Sequence, residues 1–152
     1  MFIKTIKLKK PKAAVAGIIV IVLAIIAVIF AVTGSLSNKR EPEMTNESQR
    51  QEFMSSLGWK VSESYEQCKV IVIPENFNEV YTNYNKLQKE QGFNLEKYKG
   101  KTVENYTYTV YNYKGYEDKE CIKCNLLICD GKLIGGDVCS TEVGGFMQGL
   151  KR

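Results

Sequence analysis

Five cysteines and no histidine limit the chemistry open to this chain. Without histidine there is no Ser/His or Cys/His nucleophilic pair, no imidazole base and no imidazole metal ligand. Cys121 and Cys124 form a CxxC, with Cys129 and Cys139 close behind and Cys68 far upstream. Zinc knuckles and thioredoxin-like sites use that spacing, but both place it on a turn or helix start where the sulfurs converge. Here it falls in a predicted strand, where side chains three apart face opposite ways. The reading is therefore against a metal site and against a dithiol catalyst, and no cofactor is implied.

Free thiols or structural bridges remain. Any one of the five cysteines can be left out and the other four pair in three ways, so the sequence does not choose. Cys124 with Cys139 is the favoured pair, because the Asp130-Gly131 turn would set them diagonally on one face of a hairpin. A thiol-dependent or redox activity, if present, would centre on Cys139 helped by Asp137 or Lys132. Gly135, Gly136 and Asp137 resemble a phosphate loop superficially, but paired glycines in a strand mark a bulge or a close backbone approach. The carboxylates Asp130, Asp137, Glu117, Asp118 and Glu120 lack the spacing of a calcium loop and read as solvated surface.

Positioning begins with the N-terminus. Residues 1–12 carry Lys4, Lys7, Lys9, Lys10 and Lys12 and no acid, and the apolar run that follows is about 20 residues long, the length that crosses a bilayer core as a helix. The lysine excess keeps that end in the cytoplasm. The expected organisation is a basic flank at 1–12, one transmembrane helix at 13–33, a polar linker at 34–45 and an extracytoplasmic domain at 46–152. The run is too long for a cleaved secretory signal, although Val32 and Gly34 form a weak cleavage pair. Of 21 basic residues five lie in the flank, leaving 16 against 17 acidic, a net of −1 for the remainder. That balance excludes a nucleic-acid partner.

Within the outer domain, Thr45 or Asn46 caps a helix running to about Leu57, with Gly58 as its stop. Residues 59–65 and 69–73 read as one broken strand or two short ones. Phe77, Val80, Tyr84 and Leu87 recur at helical spacing through a second helix at about 76–91, and they are assigned to the core. Residues 101–113 form a strand, and 121–129 with 132–139 form a hairpin, because both positions of an Asp-Gly turn need positive φ. The fold class is α+β: a small antiparallel sheet of about four strands packed on two helices that share one face, preceded by the transmembrane helix.

The stretch IPENFNEVYTNYNKLQKEQGFNLEKYKGKTVENYTY, followed by NLLICDGKLIGGDVCS and GGFMQGL, resembles a family of small single-span Firmicutes membrane proteins whose extracytoplasmic domain has no known function. The resemblance implies the same topology and no activity. Cys139 fits the family pattern, whereas Cys121, Cys124 and Cys129 read as additions of this chain.

The expectation is a non-enzymatic binding module at the cell envelope, taking an envelope protein, a peptide or a wall polymer. Its candidate surface is Tyr111, Tyr113, Leu127 and Ile134. Tyr106, Tyr108 and Val110 share the core face of their strand, Tyr111 and Tyr113 the other, and the two-residue turn sets Leu127 across from Ile134. The alternative is that Phe146, Met147 and Leu150 cover this face as a second core layer.

Overall fold

Asn46 starts the first helix with a reciprocal cap: its side-chain oxygen accepts from the Gln49 N–H (3.0 Å), and the Gln49 side chain accepts from the Asn46 N–H (3.3 Å). Helix α1 then runs Glu47–Ser56 and leaves through Gly58, whose φ of +85° suits the left-handed exit. The computed structural model describes residues 41–117 and 119–152. The basic flank, the expected transmembrane helix at 13–33, linker residues 34–40 and Asp118 lie outside the described residues. Among the described residues no helix is long and apolar enough to cross a membrane.

The domain is α+β, with one antiparallel sheet in the order β1 (Gln67–Val72), β2 (Thr102–Thr109), β3 (Ile122–Cys129), β4 (Lys132–Ser140) and β5 (Met147–Gln148). Helix α2 spans Glu79–Glu90, and a 3-10 turn covers Leu95–Tyr98. Five strands replace the expected four because β5, only two residues long, adds to the end of β4. Residues 59–65 contain no strand; Val61 makes a single bridge to Val110. Trp59 instead turns into the core and donates its indole N–H to the Leu150 carbonyl (2.6 Å).

Asp130 and Gly131 both take positive φ, 50° and 72°, as the hairpin requires. The register then shifts between Leu127 and Ile128, so Ile128 faces Leu133 and Leu127 faces Gly135. Leu127 is therefore not opposite Ile134, which falls in the irregularity. The glycine pair serves both expected purposes: a β-carbon on Gly136 would lie 2.4 Å from the Asn125 carbonyl, and one on Gly135 would lie 2.9 Å from the Gln88 side chain.

Both faces of the sheet are covered, so the helices do not share one. Met54 of α1 packs with Trp59, Tyr108, Leu126, Val138 and Leu150 on the first face. On the second, Leu95 packs with Ile73, Val103, Leu127, Cys129 and Ile134, with Phe77 and Tyr84 against them. Phe146 and Leu150 join the first cluster, so they are not the lid of the second.

Residues 42–44, expected in the linker, belong to the folded unit, where Met44 is buried and its N–H donates to the Gly131 carbonyl (2.7 Å). The apolar stripe of α2 also departs from expectation. Asn85 and Gln88 are the buried residues of that helix, while Val80 is 73% exposed and Leu87 only half-buried.

Candidate functional site

The orientation of α2 follows from an unpaired stretch of β4. Strand β5 reaches only Val138 and Cys139, so the outward N–H and C=O of Gly136 need other partners. Gln88 supplies both: its side-chain oxygen accepts from the Gly136 N–H (2.9 Å) and its amide donates to the Gly136 carbonyl (3.0 Å). Gln91 donates to the same carbonyl (3.0 Å) and accepts from the Leu150 N–H (2.6 Å). A buried backbone polar group left without a partner costs more than a few apolar contacts return, so the amides set the rotation of the helix.

That rotation leaves Val80 exposed and Tyr81, Tyr84 and Leu87 only partly buried. Val80, Tyr81, Asn83, Tyr84 and Leu87 line a cavity of about 510 Å³ whose other wall is Met147. Met147 and Val80 are each more than half exposed, so the cavity is an open groove.

Below the groove lies a polar cluster. The Tyr84 hydroxyl donates to one oxygen of Asp137 (2.8 Å), and the Asn125 amide donates to the other (3.0 Å). Asn125 also lies 3.6 Å from the Cys139 sulfur and accepts from the Thr107 hydroxyl (2.8 Å). The sheet assembles the set: Thr107, Asn125 and Asp137 are successive cross-strand partners, and Cys139 is two residues on from Asp137 and opposite Met147.

Burial raises the Asp137 carboxyl above its ordinary value, against the opposing hydrogen bonds from Asn125 and Tyr84. Burial, reinforced by the Asp137 charge, likewise holds the Tyr84 hydroxyl well above the phenol range. The Cys139 thiol is pushed up to about 11, first by burial and then by the neighbouring carboxylate.

This environment does not make a nucleophile, because the thiolate is the reactive form and a neighbouring cation is what favours it. Asp137 does stand beside Cys139, as the sequence proposed, but it acts in the wrong direction. Lys132 is at the far end of the hairpin, opposite Cys129. Lys123 is opposite Cys139, yet its ammonium is held by Glu66 and the Thr109 hydroxyl (both 2.6 Å). Cys124 faces Val138, so it and Cys139 point to opposite faces and cannot bridge. Among the described residues no group of acids and cysteines is placed to hold a metal.

The proposed surface of Tyr111, Tyr113, Leu127 and Ile134 is not formed. Leu127 and Ile134 are buried in the second core, where Leu95 covers them. Tyr113 is stacked between Trp59 (5.9 Å between ring centroids) and Phe146 (4.7 Å), and Tyr111 is exposed on its own. Sequence reasoning missed Tyr84, Asn125 and Met147. One signal was available, namely the uncharged amides Asn85 and Gln88 at i and i+3 beside the apolar stripe of the helix, upstream of a glycine pair.

No curated protein and no solved structure matches the chain. Residues 53–138 match the family described as Domain of unknown function (DUF4830), a span that takes in α2, Asn125 and Asp137 and stops one residue short of Cys139. The match covers more than half of the chain, which belongs to this family of domains of unknown function.

Proposed function

We propose that the chain is a membrane-anchored, extracytoplasmic binding module of the cell envelope, without enzymatic activity, whose ligand is an apolar segment of a protein or peptide held in the groove between α2 and Met147. The groove carries the proposal: Val80, Tyr81, Tyr84, Leu87 and Met147 present contiguous apolar and aromatic surface to solvent, a feature that marks interaction sites. A wall polymer suits it less, because the lining is mainly apolar and, with the Tyr84 hydroxyl committed to Asp137, Asn83 and the Tyr81 hydroxyl are the polar side-chain groups it offers a sugar. The thiol-dependent alternative is weakened by a Cys139 kept protonated at neutral pH. Anchoring and orientation rest on the lysine asymmetry about the apolar run.

A photoreactive amino acid at Val80 or Met147 of the full chain, in its native membrane, should give a discrete adduct that is lost when Leu87 is changed to Asp. The same probe at exposed Val143 should give none. Equal adducts from all three positions would sink the groove. Orientation is checked separately: Cys68, exposed on β1, should label with an impermeant thiol reagent on intact cells after mild denaturation, and labelling only after lysis would reverse the topology.

A further inference from the structure

The two long edges of the sheet are finished differently. Along β4 other segments cover much of the outer edge: residues 42–44 bond at Gly131 and Leu133, Gln88 and Gln91 at Gly136, and β5 pairs at Val138 and Cys139. Strand β1 ends the sheet order and has a neighbour on one side only. The Ile73 N–H donates to the Lys101 carbonyl, and this fixes the alternation of the ladder. Gln67, Lys69 and Ile71 turn their backbone groups toward β2, so Cys68, Val70 and Val72 turn theirs outward. The side chains of these three also share one face, and all are exposed, Val70 at 69% and Val72 at 57%. Edges are normally blunted by proline, a bulge or several charges. Within β1 there is only Lys69, and its pairing with β2 is regular.

We infer that this edge pairs with β1 of a second copy of the chain, antiparallel, with Val70 on the two-fold axis. One register uses every outward residue of both strands: Cys68 opposite the partner's Val72, Val70 opposite the partner's Val70, and Val72 opposite the partner's Cys68. Each pair exchanges two backbone hydrogen bonds, and the side chains make one apolar row, so the edge is complementary to itself. Charge permits it. Lys69 falls opposite the partner's Ile71, over which its stem can lie, and Glu66 falls opposite the partner's Pro74, so no like charges stand directly across from each other. The contact is isologous and closes at two copies, and it leaves the α2 groove free.

The test uses the full chain in detergent micelles with Cys68→Ser as background. Val70→Cys should form a disulfide-linked dimer on mild oxidation, since directly opposed residues of this kind lie about 5.5 Å apart between α-carbons, within disulfide range. Val72→Cys in that background should crosslink at least about tenfold more slowly, because two-fold pairing puts its two copies far apart. With Cys68 restored, Val72→Cys should crosslink again. In the otherwise native chain, Val70→Lys should sediment as a monomer while Cys124 stays protected from thiol reagents, which reports an intact fold. Equal crosslinking at positions 70 and 72, a native chain that is monomeric throughout, or a dimer that survives Val70→Lys would each overturn the inference. If Val70→Lys exposes Cys124, the crosslinking pair alone decides.

Discussion

The first face of the sheet and the second are closed by different physics. On the first, α1 and the C-terminal Leu150 bury apolar side chains against apolar side chains, as the sequence pattern anticipates. The one charged intruder, Arg50, is fully engaged by the Tyr108 hydroxyl (2.9 Å), by Glu47 (3.0 Å) and by the ring of Tyr106 (4.1 Å to its centroid). On the second face, α2 is fastened by amides and hydroxyls while its apolar stripe stays at the surface. A helix is thus oriented by whichever of its residues meets the costliest unmet demand, and here that demand is backbone hydrogen bonding.

Four measurements would break or sharpen this contrast, beginning with the largest effect. Leu126→Ala, at a fully buried site of the first face, should cost about 2–5 kcal/mol in urea unfolding of the full chain. A cost under about 1 kcal/mol would mean that the first core is not the main source of stability. Gln88→Leu keeps the volume but orphans the Gly136 N–H, and should cost about 1–3 kcal/mol. If it were neutral, the amide would not be what sets the rotation of α2.

Leu87→Ala should cost no more than about 1 kcal/mol, because the side chain is half-buried at the groove wall. A loss matching Leu126→Ala would return the apolar stripe to the core. The smallest effect is in pH dependence. A group whose folded pKa is raised contributes stability below its unfolded value and loses it as pH rises through the folded one. For Asp137 that loss begins as pH rises above the ordinary Asp value, so Asp137→Asn should gain on the native chain as pH rises from there. For Cys139 the loss falls between pH about 9 and about 11, and Cys139→Ala should flatten the profile there. Parallel curves in both windows would show that burial at the cluster does not extend to its protons.

Much of the fold was legible where local rules suffice. The Asn46 cap, the Gly58 exit, the existence of α2 and the Asp130-Gly131 hairpin each depend on a few neighbouring residues. The site was hardly legible, for three separate reasons. Periodicity identifies an apolar stripe but not what else competes to be buried, so it places Val80 and Leu87 inward, where the structure leaves one exposed and the other half-buried. The shift at Leu127 and Ile128 depends on glycines in the opposite strand meeting a helix distant in sequence, which made the Leu127 to Ile134 pairing wrong. Strand β5 is too short to carry a pattern, so Met147 could not be placed as the second wall of the groove.

The stitching of residues 42–44 has a mechanical consequence. Tension applied to the chain ahead of Glu41 is not transmitted first to α1. It enters through the Tyr98 hydroxyl on Glu41, the Leu133 N–H on Pro42 (2.9 Å) and the Met44 N–H on Gly131 (2.7 Å). The load therefore spreads into the β3–β4 hairpin, the most extensively paired part of the sheet. A force probe attached at Glu41 should load this clamp first, and changing Leu133 to Pro, which removes one of its donors, should lower the force at which residues 42–44 peel away.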